Sequence, residues 1–214
     1  MTIRTYKPRR GRVTPRQAAA LDLDDGMHLP VDGRELDLPT IFEGRPVVLE
    51  IGFGTGSGTA AMAQAEPGTG ILAIDVHTPG IGDLLHRIRA EHLANVRVIE
   101  GDALEVLRVM IREGALAGVR TYFPDPWPKA RHHKRRIVTP EHATLIGSRC
   151  ALGATWDLAT DWAPYAEWMI EVLDAHPMWR GGVVERPDSR PVTRYEATAL
   201  RQGRSIIDLH YARI

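Results

Sequence analysis

Short apolar runs alternate with helix-like stretches from residue 47 onward, and few folds satisfy that alternation. Val47–Ile51, Gly70–Asp75, Val96–Glu100, Val119–Phe123 and Ala154–Thr160 are apolar segments of strand length. Between them stand helix-like stretches at Thr59–Ala65, Ile81–Leu93 and from about Ala103 to Glu113. A further helix opens at Thr139-Pro140-Glu141, where threonine supplies the cap and proline fits the first turn. Tyr165–Ala175 reads as another helix, Val183-Val184 as a short sixth strand and Ser205–Arg213 as a closing strand. Strands apolar on both faces must be covered on both, so this order predicts an α/β fold with a mostly parallel, doubly wound sheet. Residues 1–20 read as a flexible basic arm and 21–214 as a single domain, with an irregular lead-in over 21–45.

Open sheets of this kind bind ligands at the carboxyl ends of their strands. That edge is where the sequence concentrates carboxylates. Glu50 closes the first strand, just ahead of Gly52-Phe53-Gly54-Thr55-Gly56, and Asp75 closes the second, 23 residues after Gly52. Asp102 follows the third strand and Asp125 the fourth. Gly52 and Gly54 allow backbone to approach a ligand where a side chain would clash. Asp75 is placed to accept hydrogen bonds from ribose hydroxyls. A glycine turn alone occurs in many proteins without a ligand; four such strand ends together point to a nucleotide. A nicotinamide dinucleotide fits less well. Ser57 departs from the dinucleotide pattern, and a carboxylate at Glu50 would repel a pyrophosphate. Glu50 suits a cationic ligand end instead, such as the ammonium or sulfonium of S-adenosylmethionine. Asp102 then falls near adenine, and it also suits a helix N-cap; the two roles are compatible.

After the fourth strand the chain reads Phe123-Pro124-Asp125-Pro126-Trp127-Pro128-Lys129, then Arg131-His132-His133-Lys134-Arg135-Arg136. The prolines cannot continue a strand or a helix interior, and each biases the residue before it (Phe123, Asp125, Trp127) toward extended backbone. The loop is therefore stiff and holds an acid and an indole beside a cationic run. Trp127 suits a packing lid better than a stacking platform. The formal net charge is zero, which excludes a globally basic nucleic-acid binder, but the charge is uneven. Arg4, Lys7, Arg9, Arg10, Arg12 and Arg16 precede the first acid, Asp22, and residues 129–136 hold five cations and no acid. Two cationic patches on a neutral chain fit local binding of a polyanion. The pair His132-His133 lacks metal-ligand spacing, so no metal is expected. The lone cysteine, Cys150, cannot form an internal disulfide and fits a reducing, cytoplasmic setting; no apolar run is long enough to span a membrane.

The block from Phe123 to Arg136 resembles the signature of the bacterial tRNA (guanine-N7-)-methyltransferase family, within the Rossmann-like class I S-adenosylmethionine-dependent methyltransferases. Arg10-Gly11-Arg12-Val13-Thr14, Thr160-Asp161-Trp162 and Thr193-Arg194-Tyr195-Glu196 with Arg201, Gly203 and Asp208-Leu209 extend the likeness over nearly the whole chain. The resemblance implies an antiparallel closing strand. It implies that Glu50, Gly52, Gly54, Asp75, Asp102 and Asp125 hold S-adenosylmethionine, with Asp125 also the catalytic acid. Lys129, Asp161, Thr193, Arg194, Tyr195 and Glu196 would meet the substrate nucleotide, a guanine of the tRNA variable loop. Arg131, Lys134, Arg135 and Arg136 would meet the RNA backbone. Thr193 and Glu196 equally form the pattern of a helix capping box, and that alternative stands. Four departures mark this chain: Asp75 where the family has Glu, Ala130 with His133, Gly203-Arg204 for a Gly-His pair, and Ile207 for an aromatic residue. The oligomeric state, monomer or homodimer, is open.

Guanine N7 carries a free lone pair, so methylation there needs no prior deprotonation. The enzyme must align the reactants and offer negative potential to a base that becomes positive. On this reading Asp125 and Asp161 position the guanine and stabilise its charge, and no obligate general base is required. A non-catalytic RNA-binding module on the same fold would lack affinity for S-adenosylhomocysteine.

Overall fold

A computed structural model describes residues 4–7 and 11–214, apart from the side chains of Arg194 and Tyr195. Arg9, Arg10 and the side chains of Arg194 and Tyr195, all singled out above, therefore lie outside the described residues. The strands are β1 His28–Leu29, β2 Val47–Ile51, β3 Gly70–Asp75, β4 Val96–Glu100, β5 Leu116–Tyr122, β6 Cys150–Thr160, β7 Trp179–Val184 and β8 Ile207–Arg213. The helices are α1 Pro15–Leu21, α2 Leu38–Ile41, α3 Ser57–Ala65, α4 Thr78–Ala90, α5 Ala103–Val109, α6 Pro140–Arg149, α7 Ala163–Asp174 and α8 Arg194–Arg201, with a 3-10 helix at Ala130–Arg135.

The strands form one sheet in the order β1-β4-β3-β2-β5-β6-β8-β7. Pairing is parallel from β1 through β6, while β8 runs antiparallel to both β6 and β7. The expected architecture is thus present, including the antiparallel closing strand. One apolar cluster packs α2, α5, α6 and α7 on one face of the sheet; a second packs α1, α3 and α4 on the other. The strand order reverses between β2 and β5, where a parallel sheet opens a crevice at its carboxyl edge.

The basic arm ends earlier than expected. Thr14 and Gln17 form a capping box, Pro15 takes the first helical turn, and Gln17 and Ala20 are buried. Helix α1 lies so close to α4 that a Cβ on Gly82 would come within 2.7 Å of Gln17 Cβ. Arg16 pairs with Asp83 at 2.8 Å, and Arg89 donates to Ala20 O and Asp25 at 2.6 Å each. Residues 15–20 therefore belong to the packed domain. Amphipathic side chains hid this, because α1 buries a glutamine and an alanine rather than a large apolar face.

Candidate cofactor and nucleotide site

Five strand ends meet at one edge of the sheet. Parallel register places Glu50 beside Ala73 and Arg120, and Asp75 beside Glu100. Asp102, Asp125 and Asp161 follow β4, β5 and β6 at the same edge.

Glu50 is 5% exposed, and its Oε2, like Thr59 Oγ1, has no hydrogen-bond partner among the described residues. Burial pushes its carboxyl up to about 7, against the opposing pull of the Arg120 guanidinium. Arg120 itself is claimed by Glu66 at 2.7 Å. A buried acceptor without a donor is costly, and a ligand cation would relieve it. The adjacent backbone leaves room for one. Gly52 has φ +80°, a left-handed conformation, and a Cβ there would meet nothing within 4 Å. The other side of the turn is tight: a Cβ on Gly80 of α4 would fall 1.9 Å from Gly54 O.

Asp75 organises the same turn. Its Oδ2 accepts from Gly54 N at 2.8 Å, and its Oδ1 from Val76 N at 2.7 Å and His77 N at 3.0 Å. Burial raises its carboxyl, and these three amides pull it back down only in part. A carboxylate has about four acceptor positions, so ribose hydroxyls can still be received. Asp102 is the N-cap of α5, accepting from Leu104 N at 2.9 Å, as its sequence position allowed. These groups fit S-adenosylmethionine: a buried carboxylate oxygen without a partner at Glu50, an open glycine turn, and acceptors at Asp75 and Asp102.

The proline loop departs from expectation. Phe123 has φ +53° and Trp127 φ +45°, both left-handed, although each precedes a proline and was expected to be extended. Tertiary contacts override the local preference. Phe123 N donates to Ala159 O at 2.7 Å. Trp127 is 4% exposed, donates Nε1 to Thr5 O at 2.9 Å and lies 3.6 Å under the Arg135 guanidinium. Left-handed non-glycine residues store about 1–3 kcal/mol each and collect at functional sites. Trp127 thus packs rather than offering an open face. Asp125 between these turns accepts from Lys7 N at 3.3 Å.

The cationic run divides in two. Lys129, Arg131 and Lys134 are exposed. Arg136 is not: it is 3% exposed, donates to Pro126 O at 3.1 Å and lies over the Tyr165 and Trp168 rings. Arg135 turns inward, donating to Arg4 O at 2.9 Å and Tyr6 O at 2.8 Å. Both arginines hold the loop, and Arg135 also holds the N-terminal segment. Arg136→Ala is expected to cost about 2–3 kcal/mol of stability in thermal unfolding, while leaving the salt dependence of RNA binding unchanged.

The remaining nucleotide candidates also separate. Asp161 pairs with Arg204, one of the departures from the family pattern, so that change supplies an ion pair. Thr193 caps α8, accepting from Glu196 N at 3.1 Å. Glu196 does not return to complete a capping box. It is buried and its oxygens are taken by Arg190 and Arg186. Burial alone would raise its carboxyl, but the two guanidiniums win and hold it low. The sequence reading missed Arg190 and Arg186; nothing in an irregular polar loop marks an arginine as buried. Burial likewise pushes the Cys150 thiol up to about 12, so it is inert at neutral pH.

A family model described as a putative methyltransferase matches residues 44–209. A tRNA (guanine-N(7)-)-methyltransferase of Streptomyces coelicolor is 52% identical, over 99% of this chain and 81% of its own length. One from Bordetella parapertussis is 46% identical, over 99% of this chain and 85% of its own. Among solved structures, the 16S rRNA methyltransferase KamB superposes with a TM-score of 0.61 at 15% identity, covering 85% of this chain and 95% of that one, a likeness of fold alone. Matching motifs, sheet order and near full-length identity agree, and this chain belongs to the tRNA (guanine-N7-)-methyltransferase family.

Proposed function

We propose that the protein transfers a methyl group from S-adenosylmethionine to N7 of a guanine in the tRNA variable loop. The observation that carries this reading is Glu50: a buried carboxylate with an unpartnered oxygen, beside an open glycine turn, on the sheet edge that also holds Asp125 and Asp161. S-adenosylmethionine, when bound, supplies an electrophilic methyl on a sulfonium. The chain's own residues do the rest. Glu50 receives a cationic group, Asp75 ribose hydroxyls and Asp102 the adenine amine. Asp125 and Asp161 accept hydrogen bonds from the guanine N1 and N2 groups and offset the charge that grows on the ring. Asp161 shares this duty with its Arg204 partner. Thr193, Arg194 and Tyr195 at the start of α8, with Lys129, flank the nucleotide. Arg131 and Lys134 reach outward to phosphates.

Incubation with unmodified tRNA, then chemical cleavage at 7-methylguanine, is expected to locate one modified position in the variable loop. Methylation at another atom overturns the reading. Binding of tRNA is expected to weaken with salt, and Arg131→Ala with Lys134→Ala to reduce the log–log slope by about 0.7–0.9 for each phosphate no longer neutralised. Equal slopes for wild type and variant would remove these residues from the docking surface.

A further inference from the structure

We infer that Arg190 is a positioning residue for methyl transfer: clamped between Glu196 and Asp208, it registers the nucleotide-binding start of α8 against the strand end that leads to Asp125. The inference rests on the function proposed above. Arg190 is 2% exposed. Its guanidinium makes two forks: one to Asp208 of β8, Nε to Oδ1 at 2.7 Å and Nη2 to Oδ2 at 3.0 Å. The other goes to Glu196 of α8, Nη1 to Oε2 at 2.7 Å and Nη2 to Oε1 at 3.0 Å. Arg186 adds a second cation on Glu196 at 2.9 Å and donates to the Arg190 carbonyl. Two arginines and two carboxylates make the cluster neutral.

The same guanidinium lies 5.7 Å from the Tyr122 ring centre and 5.6 Å from that of Phe123, two residues before Asp125. Just beyond Arg190, Pro191 and Thr193 each come to 3.7 Å from where a Cβ on Gly58 would stand, at the start of α3 behind the glycine turn. The side chain therefore ties β8 and the first turn of α8 to the residues ahead of the acid loop, and the chain just beyond it borders the start of α3. A neutral buried ion cluster adds little stability over apolar residues of similar size. A double fork does fix orientation, which a point charge or a methylene chain cannot. That geometric duty is what the cluster contributes.

Two variants test this. Arg190→Lys keeps the charge but cannot make both forks. The triple variant Arg190→Met, Glu196→Gln, Asp208→Asn removes the buried charges that a single change would strand and leaves Arg186, whose side chain is 35% exposed, to water. Both are measured for S-adenosylhomocysteine affinity by calorimetry, melting temperature, and kcat and KM on tRNA. Cofactor affinity is expected to stay within about threefold of wild type, and kcat to fall about 10–100-fold with a smaller change in KM, as expected when reacting groups are misplaced rather than removed. The triple variant is expected to recover melting temperature but not turnover. Turnover near the wild-type value in either variant that binds the cofactor overturns the inference. Loss of cofactor binding by both also overturns it, because the cluster would then be a requirement of the fold. Wild-type protein that binds S-adenosylhomocysteine yet fails to methylate tRNA overturns the functional reading instead.

Discussion

Asp125→Ala is expected to lower turnover on tRNA by about 10²–10³-fold, the range found when a group that stabilises developing charge is removed. Cofactor affinity should fall less, because Glu50, Asp75 and Asp102 remain on the other strand ends. Asp125→Asn separates two roles. Asparagine keeps an acceptor oxygen at nearly the same place but carries no charge and cannot take a proton at neutral pH. If Asp125 positions the base and supplies potential, the asparagine variant retains part of the turnover. Its pH profile at saturating cofactor then parallels that of wild type. A steep limb in the wild-type profile that vanishes in Asp125→Asn would instead make this residue a general base. Saturating cofactor matters because another carboxylate, on the glycine-turn side of the site, titrates near neutrality.

That carboxylate is Glu50, whose substitution carries the other large effect. Its buried carboxyl stands at about 7, above the ordinary value of 4.5. A cationic ligand group favours the ionised form, so S-adenosylhomocysteine affinity is expected to weaken as pH falls below about 7, by up to about tenfold per unit. Calorimetry in buffers of different ionisation enthalpy should record proton release on binding below that pH. Glu50→Gln is expected to abolish this linkage and to weaken binding about 10–100-fold at pH 8, as for loss of a charge-assisted hydrogen bond. Stability should move the opposite way. A raised carboxyl favours folding fully below about 4.5, and this contribution is lost as pH rises through 7. By pH 8 on the order of 3 kcal/mol of the stability present below about pH 4.5 has been lost. The glutamine variant should therefore melt several degrees higher than wild type at pH 8 and near wild type at pH 5. An affinity that ignores pH would separate Glu50 from the ligand's cation.

Which residues could be read without coordinates follows from how local their duties are. Glu50, Asp75, Asp102 and Asp125 were legible because each ends an apolar run, and strand ends of a parallel sheet are forced to one edge. The closing strands were legible only in part. Val183-Val184 marks the end of β7, but Trp179–Gly182 carries two glycines and no alternation to reveal a strand. Two-residue β1 and four-residue α2 were missed, being too short for any period to show. The proline loop misled in the other direction. Local sterics predicted extended backbone at Phe123 and Trp127, and long-range contacts to Ala159, Thr5 and Arg135 place both left-handed.

The sequence by itself determined the fold class, the sheet edge that gathers the carboxylates and the family, because strand periodicity, strand-end carboxylates and the proline motif are properties of contiguous residues. Only tertiary structure decided what the charged residues do. Arg131 and Lys134 face solvent, whereas their neighbours Arg135 and Arg136 turn inward over aromatic rings. Glu196 is paired with Arg190 and Arg186, and Asp161 meets Arg204 across 43 residues of chain. A charge in a sequence has no fixed partner; burial and the geometry of distant segments assign one, and with it the role.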